Sequence, residues 1–338
     1  MIILRFYLTS LVVFLFLVLG HSQKKTLFQH FVEYDNEIPT IKIDTDYKNL
    51  IKNKLKEEYQ EAHIDFYINE QLISLPGKVR ARGNTRKVSC YIPPLKIDFS
   101  KSQLDSLGFK KSQDNLKLVL PCKDNSGFQE RLKMEHFIYE LFSVIEPHHM
   151  ITKLVKFEFW WEGKLKENLI GFLVEDEDHY AERLDARIIT SGIMGSSGFD
   201  RNCFLKFCFF QYMIANTDWG IKNKHNLEVV KVPAYERVIP IAYDFDYAGI
   251  INQPYAVPTK NLPINHVTQR HFYKTSVDVD EAISTANFFK AKKQEFIAKC
   301  DDALYLKDRT RKHMKKFIEG FYKKLDSEKN IKKIFAKN

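Results

Sequence analysis

The 338-residue chain lacks the short motifs that carry most hydrolytic and structural-metal chemistry. It contains no GxSxG, no HExxH and no CxxC, and its eleven histidines are scattered without the spacing of metal ligands. Serine hydrolases, zinc proteases and cysteine-based zinc sites each depend on one of these patterns. A hydrolase of these types is therefore not expected.

Cysteine is also scarce. The five residues are Cys90, Cys122, Cys203, Cys208 and Cys300, and an odd number cannot all pair within one chain. An exported protein would permit disulfides, but the spacings indicate no particular pairing. We expect buried free thiols.

Long apolar runs are missing except near the start of the chain. Arg5 precedes an apolar run from Leu11 to Leu19, and the small residues Gly20 and Ser22 follow it. This pattern predicts a cleavable signal peptide over residues 1–22, because a membrane span needs about 20 apolar residues. The alternative is a single membrane anchor. We expect a secreted or periplasmic protein that is not integral to a membrane after cleavage.

The net charge of +9 is confined to the end of the sequence. Residues 290–338 contain 16 Lys plus Arg against 7 Asp plus Glu, which accounts for the whole excess. Met314, Phe317, Phe321 and Leu325 recur there at helical spacing, which predicts an amphipathic helix packed on the body with a solvated lysine face. Contact with an anionic surface is the alternative. The absence of an aromatic-interleaved basic patch argues against nucleic-acid binding.

Hydrophobic periodicity predicts an α+β protein. Alternating or apolar strand-like segments dominate the first half of the chain, which also contains one helix over residues 128–145; the segments are 38–45, 63–70, 77–83, 94–100, 115–121 and 154–163. A buried helix over 200–215, capped by Asp200, begins a helix-rich region. The sequence thus indicates a strand-rich lobe over 23–170 and a helix-rich lobe over 171–338, with a cleft between them.

Two polar clusters follow the buried helix, NTDWGIKNKHN at 216–226 and YDFD at 243–246. They contain oxygen donors that two short loops can bring together: Asp218, Asn223, Asn226, Asp244 and Asp246. Carboxylate and amide oxygens are hard ligands suited to Mg²⁺. Phosphoryl transfer needs such a set, with one carboxylate for the attacking hydroxyl and further oxygens for the metal on the nucleotide.

Three segments resemble those of the CotH-type secreted atypical kinase-like family, over roughly residues 75–280. They are VRARGNTRKVSCYIPPLKIDF at 79–99, MIANTDWGIKNKHN at 213–226 and IPIAYDFDYAG at 239–249. The resemblance implies a divergent, bilobal protein-kinase-like fold. It also implies ATP and Mg²⁺ as cofactors.

The resemblance also implies roles for the polar residues. Asp218 corresponds to the catalytic aspartate, Asp244 to the metal aspartate, and Asp246 to a nearby support or second metal ligand. The metal-binding asparagine is either Asn223, from the spacing in protein kinases, or Asn226, from the His-Asn ending of the family pattern. We prefer Asn226 because it directly precedes an apolar strand.

Nucleotide phosphates need positive charge, which the strand-rich lobe can supply. Lys96 lies in a strand, and the helix over 128–145 can present Glu135 or Glu130 to orient it. Arg80 and Arg82 share a strand face, and Arg82 is a candidate phosphate contact. The segment GFLVEDED at 171–178 would form the hinge beside the base.

These features predict an exported Mg²⁺- and ATP-dependent enzyme that transfers the γ-phosphoryl group to a hydroxyl, with a protein as the expected acceptor. Transfer of AMP, or a small-molecule acceptor, would use much the same site. The sequence has no GxGxxG loop, for which RGNTRK is an imperfect substitute. The alternative is therefore a non-catalytic kinase-like surface or envelope scaffold, with or without nucleotide binding.

Overall fold

The computed structural model describes residues 24–34, 38–192, 195–273 and 276–337. The predicted signal peptide over 1–22 lies outside these ranges. Within them, no helix combines the length and the apolar character that crossing a membrane requires.

The first half of the described chain forms a closed β-barrel. Its strands are β1 Thr40–Asp44, β2 Gln60–Ile68, β3 Gln71–Ala81, β4 Leu95–Phe99, β5 Asn115–Val119, β6 Thr152–Trp161 and β7 Lys164–Val174. They pair in the order β1-β2-β3-β4-β5-β7-β6, and parallel pairing of β1 with β6 closes the barrel. Burial alternates along β1 and β4, so one face of each strand fills the barrel interior.

Helices in this half lie outside the barrel. Four are short: α1 Leu27–Val32, α2 Tyr47–Lys52, α3 Thr85–Ser89 and α4 Lys101–Ser106. The long helix α5, Ser126–Phe142, begins at the cap residue Asn125, whose side chain accepts from the Phe128 N–H at 3.0 Å. Its apolar face belongs to the hydrophobic core of the second half, so α5 joins the two halves.

The second half is mostly helical. Its helices are α6 Glu177–Arg183, α7 Arg201–Met213, α8 Val279–Ala291, α9 Lys293–Asp302, α10 Asp308–Tyr322 and α11 Glu328–Phe335. A small antiparallel sheet lies among them, formed by β8 Arg187–Ile188, β9 Leu227–Lys231 and β10 Ile239–Ala242 in the order β10-β9-β8. Asp200 caps α7, as its position predicts, by accepting from the Cys203 N–H at 3.0 Å.

The α+β class is confirmed, with strands concentrated before Val174 and helices after it. The predicted amphipathic helix occurs as α10, but Phe317 is only partly buried and Leu325 lies buried beyond its end. Met314, Ile318 and Phe321 on its inner face have no exposed surface. Their burial packs α10 on the body and turns its opposite face to solvent.

The expectation of free thiols is wrong for Cys90 and Cys122, which form a disulfide with 4.5 Å between their Cα atoms. The pair forms because the end of α3 lies beside the end of β5, where the Ile92 N–H donates to the Cys122 carbonyl at 3.2 Å. Cys203 and Cys300 are buried thiols, as expected, and Cys208 is buried too.

Candidate active site

A cavity of about 430 Å³ lies between the barrel and the helical half. The barrel half lines it with the segment after β3 and parts of β5, α5 and β7, and the helical half with the loops after α7 and β10. The predicted site residues that line the cavity are Arg82, Glu135, Asp218, Asn226, Asp244 and Asp246. Lys96 is not among the lining residues.

The loop after α7 is held by backbone hydrogen bonds. Ala215 adopts a left-handed conformation at φ 54°, which turns the chain sharply into the NTDW segment. The Gly249 N–H donates to the Ala215 carbonyl at 3.0 Å, and the Ile250 N–H donates to the Ile214 carbonyl at 3.1 Å. A Cβ at Gly249 would lie 2.1 Å from the Val267 carbonyl oxygen, so glycine is required there. These contacts tie the two polar loops together.

The Asp218 side chain is held in one orientation. One carboxylate oxygen lies 3.0 Å from His225 Nε2, and the other accepts from Asn226 Nδ2 at 3.0 Å. The Asp218 backbone N–H donates to Asn216 Oδ1 at 3.0 Å. The side chain is 30% exposed, and it lines the cavity. Asp218 is thus an oriented carboxylate accessible to a ligand.

The two candidate asparagines differ in their surroundings. Asn226 is buried, and its amide nitrogen donates to the Asp218 backbone carbonyl at 2.8 Å as well as to the carboxylate. This leaves its amide oxygen as the donor atom for a ligand. Asn223 is exposed, and its Oδ1 turns toward Gly220. Both line the cavity, but only Asn226 is fixed against Asp218.

Asp244 begins the turn that follows β10, in a left-handed conformation at φ 56°. Its backbone N–H donates to the Tyr139 hydroxyl at 2.9 Å, and its side chain is 47% exposed. Phe245 anchors the turn by packing edge to face on Tyr139, with ring centroids 4.8 Å apart. Desolvation within the cleft and the neighbouring Asp246 carboxylate raise the pKa of Asp244 to about 7.

Arg86 on α3 forms the centre of a buried ionic cluster, which sequence reasoning missed. Its Nη2 lies 2.5 Å from Glu135 and 3.7 Å from Asp244, and its Nε lies 2.8 Å from Asp246. Asp246 Oδ2 also accepts from the Tyr255 hydroxyl at 3.0 Å. Asp246 is therefore engaged by the protein itself, which fits the supporting role better than that of a metal ligand.

The strand lysine at the cavity is Lys117 of β5 rather than Lys96. Lys96 pairs in register with Lys117 and shares its face of the barrel, one strand further from the cavity. Lys117 is buried, lies 3.0 Å from Asp176 and also pairs with Glu177. Burial lowers the pKa of Lys117, against the attraction of Asp176. The cavity thus contains a buried lysine next to the hinge segment.

Glu135 does not orient Lys96 as the sequence suggested, because its partner is Arg86. Glu130 points elsewhere and accepts from the Lys307 N–H at 2.8 Å. Of the two arginines near the end of β3, only Arg82 lines the cavity, whereas Arg80 contacts Glu57 on the surface at 3.4 Å. Burial lowers the pKa of Arg82, and Asp244 opposes that shift.

The donor set fits a sparsely coordinated Mg²⁺. Asp244 and the Asn226 amide oxygen are hard donors on adjacent loops, and Mg²⁺ commonly takes only one or two protein ligands, with water and phosphate oxygens completing its shell. No cluster of three or more His, Cys, Asp or Glu residues suited to a metal occurs in the described part of the chain.

No protein-family model matches this chain, and no curated protein matches it significantly. Among solved structures it is similar to a Helicobacter pylori proinflammatory kinase, CtkA, with a TM-score of 0.42 and 7% identity. The match covers 75% of this chain and 94% of the kinase chain. A similarity this low bears on neither fold nor function, so the function rests on the site itself.

Proposed function

We propose that the chain is an exported, kinase-like phosphotransferase of CotH type that uses ATP and Mg²⁺ and transfers the γ-phosphoryl group to a hydroxyl on a protein. One observation carries this proposal: Asp218, Asn226 and Asp244 line the same cavity as Arg82 and Lys117. Oxygen ligands and cations that line one cavity are what a nucleotide and its metal need.

Each residue then has a role that its surroundings support. Asn226 and Asp244 would hold Mg²⁺, which would neutralise charge on the transferred phosphate when bound. Lys117 and Arg82 would contact phosphate oxygens. The acceptor hydroxyl oxygen attacks the γ-phosphorus, the bond to the bridging oxygen of ADP breaks, and the hydroxyl proton passes to Asp218. Its contacts with His225 and Asn226 orient the Asp218 carboxylate for that proton.

Arg86 supports a second candidate, a nucleotide-binding scaffold without catalysis. Its guanidinium already compensates Asp246 and Glu135 and lies 3.7 Å from Asp244. An internal cation at this place reduces the need for a metal. Asp218 favours the enzyme over the scaffold. A scaffold has no chemical need for a carboxylate that is held in one orientation and stays partly exposed to the cavity.

Thermal unfolding with increasing ATP, with and without Mg²⁺, tests nucleotide binding. Specific binding stabilises the native state in proportion to the logarithm of ligand concentration. We expect a Mg²⁺-dependent rise in the unfolding midpoint that Asp244→Ala abolishes. No rise at millimolar ATP would refute both functions.

Transfer from γ-labelled ATP to a panel of hydroxyl-bearing proteins separates the enzyme from the scaffold. Asp218→Asn keeps the size of the side chain but removes the proton acceptor, so we expect it to retain the Mg²⁺-ATP midpoint shift and to lose transfer. Label from the α-position would instead indicate AMP transfer. Wild-type protein that binds Mg²⁺-ATP without transferring either label would favour the scaffold.

A further inference from the structure

The outer face of α10 carries positive charge that the fold does not use. Arg309, Lys312 and Lys316 in α10 and Lys323, its C-terminal cap with helical dihedral angles, are all exposed and follow one another at steps of three, four and seven residues. At about 100° per residue, these steps place the four side chains on one stripe along the helix. We call this stripe the basic face of α10.

Packing fixes the direction in which the basic face points. Met314, Ile318 and Phe321 lie on the opposite side of α10 and are fully buried. On one flank, α9 contacts α10 through Lys315, which lies 2.8 Å from Asp301. The helix therefore has no freedom to turn its lysines inward, and the basic face is a permanent outer surface.

The charge on this face is largely uncompensated. Among the described residues, no carboxylate lies within ion-pair distance of any of its four cations. The neighbouring Arg311 differs from them, because it pairs with Asp308. Helical spacing places two acidic residues beside the stripe: Glu319, which is half-buried, and Asp308, which lies four residues before Lys312 and also interacts with it. Four cations against these two acids leave an excess of positive charge that attracts a dense negative charge.

The residue types on and before α10 indicate which kind of anionic partner the basic face would bind. Three of the four cations are lysines, which bind as hydrated point charges, whereas nucleic-acid recognition favours the planar arginine fork and exposed aromatic rings. Leu304, in the turn between α9 and α10, is 77% exposed, the most exposed large apolar side chain of the described chain. Exposed lysines on α10 and an exposed leucine in the turn that precedes it are suited to a lipid headgroup layer.

We propose that the basic face of α10 docks the protein on an anionic lipid bilayer. The contact is peripheral, because the apolar side of α10 is buried in the protein and is unavailable for insertion. The docking is independent of the cavity and of the proposed phosphotransfer.

Vesicle co-sedimentation tests the proposal with protein lacking residues 1–22, since the described fold begins at residue 24 and that apolar run would itself bind lipid. We expect binding to vesicles of equal parts phosphatidylglycerol and phosphatidylcholine, weakening as salt rises, and none to phosphatidylcholine alone. A surface lysine contributes about fivefold to such binding. Lys312→Gln, Lys316→Gln and Lys323→Gln together should therefore weaken it on the order of 100-fold.

The matched control removes the same charge elsewhere. Lys48, Lys111 and Lys164 are exposed on the barrel half, and the triple glutamine variant at these positions should bind vesicles almost as wild type does. Equal losses in both triple variants would show that only net charge matters and would overturn the proposal. Tighter binding to a single-stranded oligonucleotide than to the vesicles would overturn it in favour of a nucleic-acid surface.

Discussion

At the scale of single residues, Arg86 is the side chain on which the site most depends. Its side chain is 9% exposed and lies between two nearly buried carboxylates, Glu135 and Asp246. Removing one partner of a buried ion pair leaves an uncompensated charge and costs about 3–5 kcal/mol. We expect Arg86→Ala to lower the free energy of unfolding by that amount in urea. Arg309→Ala, on the exposed face of α10, should change it by less than about 0.5 kcal/mol.

A double variant tests why Arg86→Ala lowers stability. If the loss comes from the stranded Glu135 carboxylate, adding Glu135→Gln to Arg86→Ala should restore part of the stability rather than lower it further. Additive losses from the two substitutions would show that Arg86 contributes through packing alone.

The choice between the two asparagines is also a matter of single residues. Asn226 has φ 52°, so Asn226→Gly removes its amide without straining the backbone. We expect this variant to lose most of the Mg²⁺-dependent part of the ATP midpoint shift and to keep a weak shift without the metal. Asn223→Ala should behave as wild type. The opposite pattern in thermal unfolding would assign the metal to Asn223.

The sequence predicts the acidic residues of the cavity better than its basic residues. Asp218 and Asp244 stand in short turns after apolar elements, so their convergence follows from local order along the chain. The positions of Arg86 and Lys117 depend on contacts between distant parts of the chain. The strand register of the barrel places Lys117 at the cavity, and the disulfide beside α3 holds Arg86 there. The available signal for Lys117 was a single lysine in the apolar run NLKLVLP, which indicates burial and hence a partner.

At the scale of elements, the disulfide holds α3 in place. Cys90 follows α3 directly, and its N–H donates to the Arg86 carbonyl at 2.9 Å. Closing a loop with a sequence separation of 32 stabilises by about 3–4 kcal/mol on the entropic view. We expect replacement of Cys90 and Cys122 by serine to lower the free energy of unfolding by about that much and to weaken the ATP shift.

Reduction gives the control for this prediction. A thiol reductant should lower the unfolding midpoint of the wild type under denaturing conditions and leave the serine double variant unchanged. Equal sensitivity of both proteins would mean that the bond does not carry the stability.

Glu175 joins the barrel to the helical half, directly after β7. Its side chain is fully buried and accepts from Arg183 Nε at 2.7 Å, with His179 Nδ1 at 2.6 Å. Burial alone would raise its pKa, but these hydrogen bonds outweigh burial and lower the pKa of Glu175 below 4.5. A depressed carboxyl pKa stabilises the folded state above the unfolded pKa, and this contribution is lost as pH falls through the folded value.

Glu175→Gln should therefore cost about 2 kcal/mol at pH 7, and the difference from wild type should shrink as pH falls below about 4.5. Urea unfolding across that range measures it. Glu162→Gln, in an exposed turn, should show no difference at any of these pH values. If the loss in free energy of unfolding does not vary with pH, Glu175 stabilises the fold through packing rather than through its charge.

Periodicity predicted the long elements and failed for the short ones. α5 and α7 have apolar faces that repeat over several turns, and most barrel strands alternate, so both patterns are visible along the chain. Helices of six residues or fewer, such as α1 and α3, repeat too little to be recognised.

At the scale of the whole molecule, the Asp218 loop and the basic face of α10 are connected through Arg270. Arg270 Nε donates to the Met213 carbonyl at the end of α7 at 3.1 Å, and its Nη2 donates to the Phe317 carbonyl in α10 at 2.6 Å. The base of the Asp218 loop and the basic face of α10 therefore share one bracing residue. Both contacts use backbone carbonyls, so charge changes on the outer lysines do not alter them.

This arrangement predicts that nucleotide binding and lipid docking are independent. Glutamine at Lys312, Lys316 and Lys323 should leave the Mg²⁺-ATP midpoint shift unchanged, and Asp244→Ala should leave vesicle binding unchanged, because none of these side chains takes part in the contacts of Arg270 with the Met213 and Phe317 carbonyls. Anionic vesicles should likewise not alter the ATP dependence of wild-type unfolding. A vesicle-induced change that Arg270→Lys removes would contradict independence, since it would mean that docking shifts α10 and that Arg270 carries this movement to the Asp218 loop.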